Sequence, residues 1–336
     1  MTTERNHTID NLRGLAIFLM VLGHITRTAW LRQYIYSFHI PVFFFISGYL
    51  YNPEKFSSFV VFLKRKFKGL IVPYLILGGF TYLYWLIVES RFRGSDLNPL
   101  QQLLGFALGS NYGFFLDFNC PLWFFPCLFS MGIIYYFVDK LKSPIYKILV
   151  SFSIFMVGVL VKDVCPWLPF GICAAMIGLA FYGMGGYLRN YQTLLCKVRR
   201  MICGHKLLSV FVVALMLIAQ FACSSFSVVD LANCIIGNPV TYLGLAVFGT
   251  IVYWMASVLI GQSRMLEWAG KNSLVICALH GPVYRALLFI ISSVIRLQLD
   301  DIRSNVLLCV VISVLTIGTI TPFVYAWNKW GKPLTI

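Results

Sequence analysis

An arginine and a histidine interrupt the apolar stretch "LRGLAIFLMVLGHITRT" at residues 12–28. Arg13 and His24 lie eleven residues apart, close to three helical turns, so on a helix they share one face about 16 Å apart along the axis. An imidazole can take and give a proton near neutral pH, and a guanidinium binds anions. Because either side chain is costly to bury in lipid, this face is predicted to line a polar cavity.

Two further histidines fall within apolar runs. His39 lies in "YSFHIPVFFFISGYL" (36–50), which a short turn joins to the first run, so the two helices are expected to be antiparallel neighbours. His24 and His39 would then lie at matching depths, about 7–9 Å below the same membrane surface, which favours a role in proton transfer. His280 precedes Pro282 in "GKNSLVICALHGPVYR" (270–285), and its role is left open between core packing and the same cavity.

A basic run precedes the third apolar stretch in "FLKRKFKGLIVPY" (62–74). Arg65 and Lys68 are three residues apart and share a helix face if the helix has begun by this point. Paired cations at the mouth of a cavity suit a polyanion such as the phosphates of a cofactor. Anchoring to anionic lipid headgroups accounts for the same charges equally well, and the sequence alone leaves these two interpretations open.

The segment "NYGFFLDFNCPLWFF" (111–125) combines aromatic rings with a carboxylate. Aromatic residues at a membrane surface are most often interfacial belt residues. Rings beside a carboxylate also form sugar-binding surfaces, so Asp117 and Trp123 are candidate substrate contacts. The belt interpretation stays open beside this one.

The elements that must carry these residues are apolar runs of bilayer length. The 336-residue chain is 59% hydrophobic and 12% charged, with a mean hydropathy of +0.81, which is typical of integral membrane proteins. We predict an all-α polytopic membrane protein with about ten transmembrane helices and a single domain over residues 1–336. The first run shows no small-residue cleavage site and is expected to remain as a span. The predicted spans are 12–29, 33–51, 68–88, 120–138, 145–162, 170–188, 207–226, 241–260, 272–292 and 304–327.

The net charge of +15 is distributed as in a membrane protein and not as in a nucleic-acid-binding protein. With the N-terminus placed in the cytoplasm, nineteen Lys and Arg residues fall in inside segments and seven in outside loops, while Arg285 lies within a span. This bias predicts that both termini are cytoplasmic. Nucleic acid is therefore not an expected partner.

The ten cysteines form no CxxC pair and show no metal-ligand spacing, so no metal site is predicted. The Gly-rich "GMGGYL" (183–188) lacks the spacing of a phosphate-binding loop. Close packing between helices explains these glycines better.

Several of these motifs occur together in one order along nearly the whole chain. They are the Arg-x10-His spacing of Arg13 and His24, "FHIPVFFFISGYLY" (38–51), the basic run ending in "PY" (73–74), "PLWFFPCLF" (121–129) and "GKNSLVICALH" (270–280). In this order they resemble the membrane-bound acyltransferase family 3, which includes O-acetyltransferases of surface polysaccharides and Nod factors. One departure is Lys68, where the family often has the second Arg of an Arg-x-x-Arg step, and a lysine lacks the bidentate fork.

The resemblance implies a membrane O-acyltransferase in a bacterial inner membrane. It would move an acetyl group from cytoplasmic acetyl-CoA to a hydroxyl of an extracytoplasmic or lipid-linked glycan. The implied partners are acyl-CoA, a carbohydrate acceptor and membrane lipid, and a homodimer is left open.

The resemblance also implies residue roles. His24 would deprotonate the acceptor hydroxyl or briefly carry the acyl group, and His39 would orient His24 or share its proton. Asp10, three residues before Arg13, would pair with that arginine. The implied cofactor contacts are Arg13, Arg65, Lys68 and Tyr74, and the candidate substrate contacts are Asp117, Trp123 and His280.

Two other classes of protein fit part of the pattern. Ten spans with intramembrane His and Arg would suit a proton-coupled transporter or a flippase of a glycan or small molecule. Against a transporter, the chain shows no matched pair of Gly- or Pro-broken spans in two halves. A structural membrane protein would not need two histidines at one depth.

Overall fold

The computed structural model describes residues 7–92 and 97–335, and these residues form helices, with no strand among them. The first eight α-helices are α1 (His7–Ile25), α2 (Ala29–Tyr36), α3 (His39–Tyr49), α4 (Phe59–Lys66), α5 (Val72–Ile87), α6 (Pro99–Leu108), α7 (Phe124–Val138) and α8 (Pro144–Val164). The remaining eight are α9 (Ile172–Leu188), α10 (Gln192–Gly204), α11 (Lys206–Ser224), α12 (Pro239–Ile260), α13 (Arg264–Lys271), α14 (Ser273–Ile295), α15 (Leu299–Ser304) and α16 (Val306–Ala326).

Nine helical segments in the described part of the chain are long and apolar enough to cross a bilayer. The prediction of an all-α polytopic membrane protein is therefore confirmed. The segments are His7–Ile25, Phe59–Arg91, Asp117–Val138, Pro144–Val164, Pro169–Gly204, Lys206–Ser224, Pro239–Ile260, Ser273–Ile295 and Val306–Thr335.

The predicted second span, 33–51, is a broken helix in the structure. α2 and α3 are separated by Ser37 and Phe38, and Phe38 has φ −144° and ψ −21°, outside helical geometry. Pro41 falls in the first turn of α3, where its missing N–H removes no helical hydrogen bond. α3 has 11 residues and is about 16 Å long, which is too short to cross a bilayer.

α1 lies at the centre of the helix assembly, whereas α8 and α11 are mostly exposed at its edge. It runs from His7 to Ile25 and so begins and ends earlier than the predicted 12–29, which makes His24 its penultimate residue. Arg303 of α15 donates to the carbonyl oxygens of Ile25 (2.8 Å) and His24 (3.2 Å). A cation at the C-terminus of α1 satisfies end carbonyls and complements the helix dipole, which fixes the end that carries His24.

Two glycines let α3 and α9 pack with their backbones in contact. A Cβ atom at Gly48 would collide with the carbonyl oxygen of Tyr182, and one at Gly185 would collide with that of Phe45. The packing explanation of the Gly-rich segment at 183–188 therefore agrees with the structure. The contact holds α3, and with it His39, against the rest of the assembly.

Some of the charges counted for orientation lie outside the described residues, namely Arg5 and Arg93. The placement of both termini in the cytoplasm stays a prediction.

Candidate functional site

A cavity of about 280 Å³ opens at the C-terminal end of α1, and we call it the polar chamber. Its walls come from α1, α2, α3, Asn111, the 117–123 segment, the 229–233 loop, α12, α14 and α15. Four of the residues singled out by sequence line it: His24, His39, Asp117 and Trp123. The polar residues beside them include Arg32, Tyr36, Asn111, Asp230, Asn233, Arg285 and Arg303.

A second cavity of about 180 Å³ runs beside α1, and we call it the apolar chamber. Arg13 lines it three helical turns before His24, so the predicted common face of α1 is a cavity wall. Most other lining residues are apolar, including Ile17, Met20, Phe43, Phe125 and Leu274. The two chambers share four lining residues, which we call the shared wall: His24, Ile40, Pro121 and Trp123.

His24 is the ionisable residue of this shared wall. Its side chain is half-buried, and its ring centroid lies 5.1 Å from that of His280 and 6.0 Å from that of Tyr36. No hydrogen bond joins the His24 ring to another side chain or carbonyl within 7–92 and 97–335. The ring is therefore available to reactants from either chamber.

His39 lies at the first turn of α3 and lines the polar chamber. Its Nδ1 is 2.8 Å from the carbonyl oxygen of Ile35. A carbonyl can only accept, so Nδ1 carries the hydrogen and Nε2 keeps a lone pair. Tyr36 makes ring contacts with both His39 (5.1 Å) and His24 (6.0 Å), so this tyrosine, which the sequence did not single out, lies beside both histidines.

His280 is fully buried and is absent from the walls of both chambers. Its Nδ1 donates to the carbonyl oxygens of Cys277 (2.9 Å) and Ile276 (3.1 Å). His280 lines neither chamber, so its predicted contact with substrate stays a prediction.

A short segment, Asp117–Trp123, carries two predicted substrate contacts and is held from both sides. Asn119 donates to the carbonyl oxygen of Ala278 at 2.8 Å and to the hydroxyl of Thr81 at 3.1 Å. The side chain of Gln102 accepts from the backbone N–H of Phe118 at 2.9 Å. These bonds fix Asp117 and Trp123 at the chamber wall, although proline and asparagine make a regular helix unfavourable here.

A buried ion pair supports the far side of the polar chamber. Arg285 donates to Glu89 from Nε (2.5 Å) and Nη2 (3.2 Å), and Nη2 also donates to the carbonyl oxygen of Phe118 at 2.7 Å. Glu89 is completely buried. At another wall of the polar chamber, partial burial lowers the pKa of the Arg303 guanidinium, which lies outside the membrane-spanning segments, below its usual range. The sequence placed Arg285 within a predicted span but gave no signal for Glu89 as its partner.

The residues predicted to hold a cofactor are not gathered in one place. Arg65 donates to the carbonyl oxygen of Lys55 at 3.0 Å and lies over the ring of Phe56, and Lys68 is exposed. The hydroxyl of Tyr74 donates to the carbonyl oxygen of Phe106 at 2.5 Å. None of the three predicted residues lines either chamber, so their contacts with a cofactor stay predictions.

Two further predictions concern pairing and metal. Asp10 is buried near the start of α1, where its backbone packs against Gly270 of α13, and its pairing with Arg13 stays a prediction. Within residues 7–92 and 97–335, no group of three or more His, Cys, Asp or Glu side chains could hold a metal ion.

Comparisons with known proteins identify the sequence pattern independently. A family model described as "Acyltransferase domain" (acyltransferase 3) matches residues 6–327. The nodulation protein NolL of Sinorhizobium fredii (strain NBRC 101917 / NGR234) is 44% identical over 58 residues, which cover 14% of this chain and 16% of that protein. The chain thus matches only a small part of that relative's length. No solved structure matches the chain.

Proposed function

The chain belongs to the acyltransferase 3 family that it matches over residues 6–327, and from this premise we propose that it moves an acetyl group from acetyl-CoA to a hydroxyl of a glycan. The family and the apolar helices make it a membrane acyltransferase. The observation that carries the finer proposal is the position of His24 in the wall between two chambers of different character.

The apolar chamber suits the acyl-pantetheine arm of the donor. It is elongated beside α1, it is lined mainly by apolar side chains, and Arg13 lies at the end away from His24. A narrow apolar passage excludes water from the thioester, and a cation at its entrance favours an anionic cofactor. In this arrangement the thioester carbonyl meets His24 at the shared wall.

The polar chamber suits a carbohydrate acceptor. Trp123 and Tyr36 offer aromatic faces, and Asp117, Asp230 and Asn111 offer hydrogen-bonding groups. Sugars present apolar C–H faces together with hydroxyls, so a site of a few polar groups among rings fits their chemistry. We place this chamber on the extracytoplasmic side of a bacterial inner membrane, where the acceptor is an extracytoplasmic or lipid-linked glycan.

The reaction needs one proton transfer at His24. As general base, its free ring nitrogen takes the proton of the acceptor hydroxyl while the oxygen attacks the thioester carbonyl. The ester C–O bond forms, the C–S bond breaks, and the proton passes to the thiolate of CoA. If His24 instead carries the acetyl group for a short time, the same ring serves as nucleophile in two steps.

Replacing His24 by alanine tests the proposal directly. Purified protein is given labelled acetyl-CoA and a glycan acceptor, and transfer is measured with acetyl-CoA binding on the same sample. We expect His24→Ala to lower turnover by about 10²–10⁴-fold, the usual contribution of a general acid–base group, while acetyl-CoA still binds. Near-normal turnover in this variant would remove His24 from the chemistry.

Release or transfer of labelled acetyl by the wild-type protein also separates the two main classes of function. A transporter moves its cargo without consuming acetyl-CoA, so an absence of acetyl transfer and hydrolysis, together with proton-dependent uptake in vesicles, would contradict the proposal.

The side on which each reactant enters depends on the orientation of the chain. A reporter fused after Ile336 should be active only in its cytoplasmic form, because Lys and Arg divide nineteen to seven in favour of the inside. Activity of the periplasmic form would reverse the assignment of the two chambers to the two sides.

A further inference from the structure

We infer that His280 is the positioning partner of His24: its Nε2 accepts a hydrogen bond from one ring nitrogen of His24 and so presents the other, with its lone pair, to the acceptor hydroxyl. The inference deepens the proposed function and rests on it, because it assigns no role to His280 without a base at His24.

The hydrogen position on His280 follows from its surroundings. Both of its Nδ1 contacts are carbonyl oxygens, those of Cys277 at 2.9 Å and Ile276 at 3.1 Å. Carbonyl oxygens cannot donate, so Nδ1 carries the hydrogen and the neutral ring keeps a lone pair on Nε2. That Nε2 is buried and has no hydrogen-bond partner among the described residues.

A buried acceptor without a partner is costly, so a donor near Nε2 is expected. The ring of His24 is the nearer of the two rings that contact His280, with centroids 5.1 Å apart, against 6.3 Å for Tyr284. Ring nitrogens lie at the rim of each ring, so at this centroid separation a turn of the His24 ring that points one nitrogen at Nε2 of His280 would form the hydrogen bond. No hydrogen bond of the His24 ring within the described ranges opposes that turn.

His39 is less suited to this task than the sequence suggested. It lines the polar chamber, so water or the acceptor can reach its remaining nitrogen, and Tyr36 lies beside both rings. His280 lines neither chamber, so a neighbouring side chain is the partner expected for its Nε2. The orienting role predicted for His39 therefore passes to His280.

The proton balance is simple. The acceptor O–H gives its proton to the free nitrogen of His24, while the other N–H stays in its bond to Nε2 of His280. As the ester C–O bond forms and the thioester C–S bond breaks, the proton moves from His24 to the CoA thiolate. His280 holds the ring in one tautomer and orientation throughout, as a third group does in other nucleophile–base pairs.

Two substitutions separate positioning from packing. The amide of glutamine in His280→Gln reaches the position of Nε2 and keeps an acceptor there. His280→Asn has the same group but reaches only the position of Nδ1, so it is the matched control. We expect kcat of the Asn variant to fall at least about tenfold with the KM for acetyl-CoA nearly unchanged, and the Gln variant to recover most of the loss.

Equal kcat values for the two variants would overturn the inference, as would loss of acetyl-CoA binding in both, since either result assigns His280 to packing. A second measurement uses the His24→Ala background, where His280→Asn should cause no further loss of residual transfer. The same loss in both backgrounds contradicts the pairing. Failure of the proposed function has a different signature, because His24→Ala alone would then leave transfer intact.

Discussion

The sequence predicted shared surroundings for residues of the polar chamber and for residues of the basic run at 64–68, but the structure brings together only those of the chamber. In the chamber, His24, His39, Asp117 and Trp123 come from separate parts of the chain and share one cavity. In the basic run, neighbouring residues point to different surroundings, with Arg65 turned toward Lys55 and Lys68 exposed. Polar groups inside a membrane bundle have few places to lie, whereas cations at its surface have many.

The local backbone adds to this difference. α1 is one regular helix, so an eleven-residue spacing places Arg13 and His24 on a single face as predicted. Between Arg65 and Lys68 the chain passes from α4 into a wider π-helical turn, Phe67–Ile71. A π turn changes the angular spacing of side chains, so the three-residue rule for a shared face does not apply there.

The largest effect on the free energy of unfolding is expected from the buried ion pair beside the polar chamber. Glu89→Ala leaves Arg285 buried without its carboxylate and should lower the free energy of unfolding in detergent by about 3–5 kcal/mol. Glu54→Ala, at an exposed site, is the control and should change it by less than about 0.5 kcal/mol. Equal effects of the two changes would mean that the chamber wall is no more constrained than the surface.

An intermediate effect, on the affinity for acetyl-CoA, is expected from substitutions of Arg13 in the wall of the apolar chamber. Arg13→Gln removes the charge from the chamber wall and should weaken acetyl-CoA binding by about 10–100-fold, since a hydrogen bond to a charged group contributes about 1.5–3 kcal/mol. Arg13→Lys keeps the charge and should recover part of the affinity. Calorimetric binding to the purified protein measures both, and an unchanged affinity would move the donor out of this chamber.

The smallest effect is expected in the basic run. Replacing both Arg65 and Lys68 by glutamine should weaken acetyl-CoA binding by about 2–30-fold, because each of the two exposed charge pairs contributes about 0.2–1 kcal/mol. The difference from wild type should shrink as salt is raised. A loss greater than that of Arg13→Gln would break the contrast between the two regions and place the cofactor phosphates firmly on these cations.

Much of the architecture could be predicted because the bilayer restricts the length and the secondary structure of an apolar run that crosses it. The length and apolar composition of the runs identified most spans, and the intramembrane positions of Arg13 and His24 indicated a cavity before its other walls were known. The break at Ser37 and Phe38 could not be predicted, since the residues around it are as apolar as any other span. It depends on what packs against α2 and α3.

For a similar reason, the sequence did not indicate which residues pair with those of the site in the folded protein. Glu89 lies 196 residues from Arg285 and one residue beyond the predicted span 68–88, and nothing in its neighbourhood indicates burial. The role of His280 was left open between core packing and the cavity, because sequence shows the depth of a residue in the membrane but not whether its side chain faces a cavity. Pairings of this kind are set by the packing of whole helices, which local patterns do not encode.

The shared wall has an electrical consequence. In the proposed reaction a proton passes from the acceptor oxygen to the CoA sulfur, while the acetyl group, formally an acyl cation, passes from that sulfur to the oxygen. The two transfers carry equal and opposite charge past His24 and its three neighbours. One elementary charge moved alone through a transmembrane voltage would change in energy by about 2.3 kcal/mol per 100 mV, and the paired exchange cancels this change. The equilibrium of the proposed acetyl transfer is therefore expected to be the same in an energised membrane as in detergent.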